Sequence, residues 1–357
     1  MANKRLLFYI NAIHQGGAER VMLQLCQRFL EHGYEPLLVT SFVDSWEYPV
    51  PEGVERISLE QQEADQGRLK RNISRIRALR RLIKEREPAL VISFMAEPNY
   101  RALIAARGLD TKTLISVRND PAREYGGRLG RLLGQKLLPL ADGCVFQTRQ
   151  ARDWFPKKLR DKSRIIMNQV DERFFSVPEG EGSCILTAGR LTEQKDQAML
   201  IRAYARLLPE ERLVICGEGP LRSQLQELIA GLGLTDKIEL AGDMTDMPKV
   251  LEGAKLFVLP SAFEGMPNAL LEAMAAGRCC ISTDCPCGGP EMIIDSGVDG
   301  LLTPVGDEAA LAKAMDSCLQ DSGLRRSMAK AARKKAESFR PEAVFAQWLA
   351  YVEELIN

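Results

Sequence analysis

Histidine is nearly absent from this chain of 357 residues, which has only His14 and His32. No histidine cluster can therefore build a metal site. Cysteine is present, but the crowded set Cys279, Cys280, Cys285 and Cys287 lacks the paired CxxC spacing of a zinc ribbon. The sequence thus predicts no metal and no cofactor. Long apolar runs are missing as well: no stretch approaches the roughly 18 to 20 apolar residues of a membrane helix. The opening Met1-Ala2-Asn3-Lys4-Arg5 and the short run Leu6 to Ile10 have neither the apolar length nor the small-residue site of a signal peptide. A cytoplasmic protein with at most peripheral membrane contact is expected. No G-x-G-x-x-G follows the first apolar run, which disfavours a dinucleotide-dependent oxidoreductase. Solenoid repeats and low-complexity tracts are also lacking.

The residues that are present suit a globular protein, 45% of them hydrophobic and 27% charged. The length suits two domains, each with its own core. Formal charge is zero overall, yet a surplus of about ten basic residues up to Val170 is matched by an equal acidic surplus after it. The two halves therefore face different partners, and nucleic acid is not among those expected. Cys26, Cys144, Cys184 and Cys216 sit beside apolar neighbours within predicted elements, as reduced core thiols do, which favours a reducing compartment.

Short apolar runs alternate with amphipathic stretches from end to end, the pattern of parallel sheets covered by helices. The fold class is α/β, twice over. Strands are predicted at Arg5 to Ile10, Glu35 to Ser41, Val54 to Leu59, Ala89 to Phe94, Thr113 to Val117, Gly143 to Gln147 and Arg164 to Asn168. A second set follows at Cys184 to Ala188, Arg212 to Cys216, Lys237 to Leu240, Lys255 to Leu259 and Arg278 to Thr283. The first helix, Ala18 to His32, carries Val21, Met22, Leu25, Phe29 and Leu30 on one face and stops at Gly33. The polar segment Pro178 to Gly182 marks the linker region, and helices close the chain near Glu308 to Gln320, Leu324 to Ser338 and Glu342 to Ile356.

Four strand-to-helix corners carry candidate chemistry. Glu264 and Glu272 bracket Gly265-Met266-Pro267-Asn268-Ala269-Leu270-Leu271 after the strand ending at Leu259. Pro267 suits the first turn of a helix, so the loop is expected to become helical near Met266. Such a corner binds anions through its amides and dipole, while carboxylates take up hydroxyls. A nucleotide sugar has both kinds of group. In Gly189-Arg190-Leu191-Thr192-Glu193-Gln194-Lys195 a guanidinium and an ammonium stand just past a strand's carboxyl end, where they can hold a diphosphate. Cys216-Gly217-Glu218-Gly219-Pro220 opens room for something flat, and a nucleobase edge fits there or near Ala241-Gly242-Asp243-Met244. Gln15-Gly16-Gly17-Ala18-Glu19 lets backbone approach a phosphate or sugar at a helix N-terminus. A ligand-free tight turn accounts for these glycines equally well. Arg118, after the strand Thr113 to Val117, either touches the transferred sugar or diphosphate or is an ordinary loop cation.

In order, Gly16-Gly17-Ala18-Glu19, Gly189-Arg190 with the following Lys195, and Glu264 through Glu272 resemble the family 4 glycosyltransferases, a large retaining group with the GT-B fold. The likeness spans essentially the whole chain, and Phe263-Glu264-Gly265-Met266-Pro267 within the Glu-x7-Glu element is its most specific part. It implies two Rossmann-like domains facing across a central cleft. Residues 1–170 would form the acceptor-side domain and 171–340 the nucleotide-sugar domain, with 341–357 a helix crossing back to the first. By position, Arg190 and Lys195 would bind the donor diphosphate, Glu264 the donor sugar and Glu272 the ribose hydroxyls. Glu264, Arg190 and Lys195 would be catalytic. Gly16, Gly17, Gly189, Gly217, Met244, Gly265, Met266 and Asn268 complete the donor-binding set. One departure matters: many members place a histidine near the strand end where this chain has Val117-Arg118-Asn119, and Arg118 cannot accept a proton at working pH.

The expected reaction moves a hexose or N-acetylhexosamine from a UDP-sugar to a glycan acceptor, polyprenyl-diphosphate-linked, in surface polysaccharide or glycoconjugate assembly. Cations and helix N-termini would stabilise the departing phosphates in place of a metal. Arg68 to Arg86 reads as a basic amphipathic helix, with Lys70, Arg71, Arg75, Arg77, Arg80, Arg81 and Lys84 around Ile73, Ile76, Leu79, Leu82 and Ile83. It suits an anionic membrane surface, as does the basic stretch Arg128 to Leu138; an ordinary sheet-covering helix fits the same pattern. A nucleotide-sugar epimerase and a non-catalytic sugar-nucleotide binding protein are the rival functions.

Overall fold

Parallel neighbours need a long crossover, usually a helix, so apolar strands alternating with amphipathic helices favour parallel pairing. The computed structural model, which describes residues 3–14, 16–60 and 67–357, has this architecture twice. Gln15, at the head of the first glycine loop, lies outside the described residues. The chain divides into a unit of Met1–Asn168 with Val344–Asn357 and a unit of Gln169–Ala343.

The first unit holds a seven-stranded sheet of β1 (Arg5–Ile10), β2 (Glu35–Thr40), β3 (Glu55–Ser58), β4 (Leu90–Phe94), β5 (Lys112–Val117), β6 (Gly143–Phe146) and β7 (Ser163–Ile165). Its order is β3-β2-β1-β4-β5-β6-β7, all parallel. The second holds β8 (Cys184–Ala188), β9 (Arg212–Cys216), β10 (Ile238–Gly242), β11 (Ala254–Leu259), β12 (Cys279–Thr283) and β13 (Leu301–Thr303), ordered β10-β9-β8-β11-β12-β13 and again all parallel. Strand order reverses between β1 and β4 in one sheet and between β8 and β11 in the other. Open α/β sheets bind ligands at such switch points, beyond the carboxyl ends of the strands.

Three expectations are corrected. The strand read as Arg164 to Asn168 ends at Ile165, and Asn168 turns its amide to side chains instead of a neighbouring strand. Strand β13 was not foreseen, because three residues are too few to show a period. Pro267 is the N-cap of the helix Asn268–Ala275 and does not lie in its first turn.

In the first unit, α1 (Gly17–Glu31) packs Met22, Leu25 and Phe29 on one face of the sheet. The final helix, Pro341–Ile356, adds Val344, Phe345, Trp348, Tyr351 and Val352 to that same core. Tyr351 Oη accepts from the Cys144 amide at 3.0 Å and donates to the Lys162 carbonyl at 2.5 Å, tying the helix to β6 and β7. On the opposite face lie α2 (Arg68–Arg86) and α3 (Ala96–Ala106), with Leu79, Leu82, Ile83, Ala102 and Ala105 buried. The basic residues of α2 do not all face outward as its pattern suggested. Arg80 donates to the Ala105 and Arg107 carbonyls, and Arg75 lies over the Phe42 ring. Among the described residues no helix is long and apolar enough to cross a membrane.

The second unit packs Ile185, Ile215, Leu256, Val258 and Ile281 against Met199, Tyr204, Leu225, Leu311 and Met315.

Trp348 is the largest fully buried side chain contributed by the final helix. Trp348→Ala should destabilise the first unit by about 3–5 kcal/mol. In native-state hydrogen exchange, protection should fall in β1, β4, β5 and β6 and hold in β8 through β12.

Candidate functional site

Loops from four adjacent strands gather at the carboxyl edge of the second sheet. After β8 the chain turns at Gly189 and runs through Arg190 to Lys195 before the helix Gln197–Leu207. Asp196 caps that helix from a left-handed conformation with φ 40°, its side chain accepting from the Met199 amide at 3.2 Å. Gln197 Nε2 donates to the Gly189 and Arg190 carbonyls at 3.3 and 3.0 Å, fixing the backbone from below. Among the described residues the exposed Arg190 guanidinium has no hydrogen bond or ion pair. Lys195 behaves differently. Its ammonium lies 2.5 Å from Glu264 Oε1, with Lys195 one-fifth exposed and Glu264 buried.

Glu264 is held from three sides. Ser261 Oγ donates to Oε1 at 2.7 Å, the Glu264 amide reaches the Pro286 carbonyl at 3.4 Å, and Lys195 supplies the opposing charge. Thr283 Oγ1, at the end of β12, donates to the Ser261 carbonyl at 2.5 Å and so fixes Ser261 in turn. The loop after β8 and the loop after β11 are also joined through Gln194, which donates to the Phe263 carbonyl at 3.2 Å and accepts from the Ala262 amide at 2.8 Å. This is the switch point of the sheet.

Glycines set the spacing. A Cβ on Gly217 would stand 2.2 Å from the Gly189 carbonyl oxygen, and one on Gly219 would stand 2.5 Å from that of Leu191. The place a side chain would take at each of these two glycines is therefore occupied by the neighbouring loop's backbone. On the other side, a Cβ on Gly289 would come within 1.8 Å of the Gly265 carbonyl oxygen. Cys287, with φ 77°, and Gly288, with φ 68°, turn the chain into that contact. A left-handed non-glycine residue costs on the order of 1–3 kcal/mol, and Asp196 and Cys287 both stand in these loops.

Gly265 and Met266 are buried under the corner, and Asn268 opens the helix Asn268–Ala275. Glu272, also buried, lies on that helix within the field of Arg173. The Arg173 guanidinium is raised above its ordinary pKa, chiefly by its hydrogen bonds to Asp171, then by the charges of Asp171, Asp246 and Glu272. Met244 follows the outer strand β10 and is exposed. Among the described residues no three His, Cys, Asp or Glu side chains converge as metal ligands would.

Gly16, Gly17 and Arg118 belong to the first unit. Gly16 is the N-cap of α1, and a Cβ there would lie 2.3 Å from Glu19 Oε2, so the Glu19 carboxylate folds back over the helix start. Arg118, just past β5, is buried, and burial lowers its pKa to about 9 against the raising field of Glu19. It remains charged at neutral pH.

Sequence reading missed Ser261, Gln194, Thr283 and Gly289 here, and Gln147 and Asn168 in the first unit. Gly288-Gly289-Pro290 carried a usable signal, because paired glycines before a proline mark a tight helix entry as Gly16-Gly17 does. The polar side chains had none.

Residues 15–174 match the family model described as Glycosyltransferase Family 4, and residues 169–335 match that described as Glycosyl transferases group 1. Over 362 residues, 99% of each chain, the sequence is 27% identical to the GalNAc-α-(1→4)-GalNAc-α-(1→3)-diNAcBac-PP-undecaprenol α-1,4-N-acetyl-D-galactosaminyltransferase of Campylobacter jejuni. It is 30% identical over 277 residues, 72% of this chain and 74% of the relative, to the N-acetylgalactosamine-N,N'-diacetylbacillosaminyl-diphospho-undecaprenol 4-α-N-acetylgalactosaminyltransferase of the same organism. The solved structure of Anabaena HepE in complex with UDP and glucose matches with a TM-score of 0.83 at 18% identity, over 98% of this chain and 99% of that one. Two parallel-sheet, Rossmann-like units of this kind are those of the GT-B fold.

Gly289→Ala should push the Gly265 carbonyl aside and weaken nucleotide-sugar binding by about tenfold or more, lowering the melting temperature as well. Gly231→Ala, in the helix Arg222–Gly231 with nothing within 4 Å of the added carbon, should leave binding unchanged and raise stability by about 0.5–1 kcal/mol. Calorimetric titration and thermal melts of the two variants separate these outcomes.

Proposed function

Because the chain belongs to family 4 of the glycosyltransferases, we propose that it transfers a hexose or N-acetylhexosamine from a UDP-sugar to a glycan carried on a polyprenyl diphosphate. The transfer retains configuration, needs no metal, and serves surface-glycan assembly. The observation that carries this reading is the joining of Lys195 to Glu264 at the β8/β11 switch point, with Arg190 open in the same loop. The undecaprenol-linked substrates in the names of the two Campylobacter relatives and the UDP bound to HepE support the choice of acceptor and donor class.

Breaking the bond between the anomeric carbon and the diphosphate leaves positive charge on the sugar and negative charge on the phosphates. Preorganised cations that meet the second charge are worth most in a water-poor site. Arg190 and Lys195 meet it, with Arg190 able to bind two phosphate oxygens through its planar fork. Glu264 accepts hydroxyls of the transferred sugar, its orientation set by Ser261 and Lys195. Glu272 accepts the ribose hydroxyls. The departing phosphate takes the acceptor's proton, since front-face attack brings the two together.

The acceptor end of the reaction is assigned to the first unit. The opening turns of α2 leave Leu69 and Ile73 exposed, with Lys70, Arg71 and Arg77 exposed around them. Apolar side chains framed by cations suit an anionic bilayer, each Lys or Arg contributing about 1 kcal/mol near the surface. The protein works at the cytoplasmic membrane face.

Glu272→Gln should weaken UDP binding by about 10- to 100-fold with little change in turnover at saturating donor. Glu264→Gln should keep UDP binding and lower turnover by about a hundredfold. A thermal-shift screen against nucleotide sugars tests the donor directly, because a ligand of the folded state raises the melting point; silence from every uridine donor would overturn that part of the reading. Flotation with vesicles should show binding only when anionic lipid is present. Lys70→Glu with Arg77→Glu should abolish it, and flotation unaffected by salt and by these changes would remove α2 from the membrane.

A further inference from the structure

Among the described residues four arginines are buried: Arg101, Arg118, Arg278 and Arg325. Three of them are well supplied with acceptors. Arg101 donates to Asn11, Ser41, Asn72 and Glu97. Arg278 donates to the carbonyls of Pro178, Gly180, Ala254 and Ala276. Arg325 pairs with Glu181 and the carbonyls of Cys318 and Leu319, leaving its Nε alone. Arg118 stands apart. It is 7% exposed, and among the described residues its sole hydrogen bond runs from Nη2 to Asn168 Oδ1 at 2.6 Å, with Nε and Nη1 buried and unpartnered.

An uncompensated buried cation is costly, so a fold keeps one only where something offsets the cost. Local structure holds Arg118 in place, and the field of Glu19 favours its charge without giving Nε or Nη1 an acceptor. Its guanidinium lies over the Phe94 ring, 4.6 Å from the centroid, and Gln147 Nε2 donates to the same Asn168 oxygen at 2.7 Å. Phe94, Arg118, Gln147 and Asn168 come from the carboxyl ends or following loops of β4, β5, β6 and β7, so four neighbouring strands build the seat. The nearest acid in sequence, Asp120, is engaged elsewhere: it caps Ala122 at 2.9 Å and lies 3.9 Å from Arg123.

We propose that Arg118 is the cationic floor of an oxyanion site on the first unit, and that it binds an anionic group of one substrate, a phosphate or a sugar carboxylate, through Nε and Nη1. The site rests on the transferase reading for its substrates but not for its chemistry. These N–H groups are fixed on a rigid plane, and the oxygens of such an anion give them acceptors together with a countercharge. A hydroxyl offers an acceptor and no countercharge. The enzyme therefore selects an ionised group at this position and discriminates against its neutral counterpart.

The test begins with the wild-type protein and inorganic pyrophosphate. The Arg118 Nε–H nuclear magnetic resonance signal, assigned by its loss in Arg118→Lys, should shift on titration; a signal that stays still while UDP binds normally would overturn the proposal. Arg118→Gln and Arg118→Lys are then compared on matched substrates: a UDP-hexose against the corresponding UDP-hexuronic acid, and one glycan acceptor on a polyprenyl diphosphate against the same glycan on a neutral alkyl chain. If the anion is a sugar carboxylate, kcat/KM should fall by about 10- to 100-fold for the uronic donor alone. Loss confined to the diphosphate acceptor assigns the site to that substrate, and equal loss on all four with UDP-sugar KM raised assigns it to the donor diphosphate. Arg118→Lys should recover part of each. Unchanged kinetics in folded Arg118→Gln, or losses in kcat alone that ignore substrate charge, would defeat it. UDP binding lost in the wild type, with the pyrophosphate shift intact, would count against the transferase reading and not against this site.

Discussion

Every strand in both sheets runs parallel to its neighbours, and that single constraint decides where the chemistry can sit. Parallel pairing sends all crossovers over the faces of the sheet, so side chains there are committed to packing. The carboxyl edges are left for polar work, and the reversal of strand order opens space at one point along each edge. Arg190, Lys195, Ser261, Gln194 and Glu264 share one such place because β8 and β11 are adjacent, although Lys195 and Glu264 lie 69 positions apart in the chain. Arg118, Gln147 and Asn168 share the other sheet's edge for the same reason.

The two edges handle charge in opposite ways. In the second unit, Lys195 and Glu264 stand at contact distance and offset each other, so neither ion is left buried alone. Ser261 holds the same Glu264 oxygen through a hydroxyl bond that does not depend on Lys195. In the first unit the field of Glu19 favours the charge of Arg118, while Nε and Nη1 have no hydrogen-bond partner among the described residues. One edge pairs its cation with a carboxylate at contact distance, and the other leaves two nitrogens of its cation unbonded.

Much of this was legible in the sequence, for identifiable reasons. Strands announce themselves by apolar runs, and corners by glycine, proline and charge, so Glu264, Glu272, Arg190 and Lys195 could be named from local pattern together with a family likeness. What local pattern does not encode is which corners become neighbours. Ser261 and Gln194 look like any loop residues until β8 and β11 pair. At Gly217 the place of a side chain goes to the Gly189 carbonyl, and only the juxtaposition of two loops reveals it. The same limit hid Arg80, whose position on a basic helix suggested solvent but whose guanidinium reaches the carbonyls at the end of α3. Arg118 was visible as a cation; that its Nε and Nη1 are buried without partners among the described residues was not, because burial belongs to the folded chain.

The final helix has a consequence for how the molecule is made. Residues 169–343 separate the body of the first unit from the segment that supplies Trp348 and Tyr351 to its core. At roughly 5–20 residues per second, a ribosome needs on the order of ten to thirty-five seconds to cross that interval. Through it the nascent first sheet carries an unfilled apolar slot along Phe29, Phe94 and Val145, while the second unit has all its strands and can close. The chain is thus expected to complete its later unit first, and its early sheet is the part that needs shelter from aggregation during synthesis.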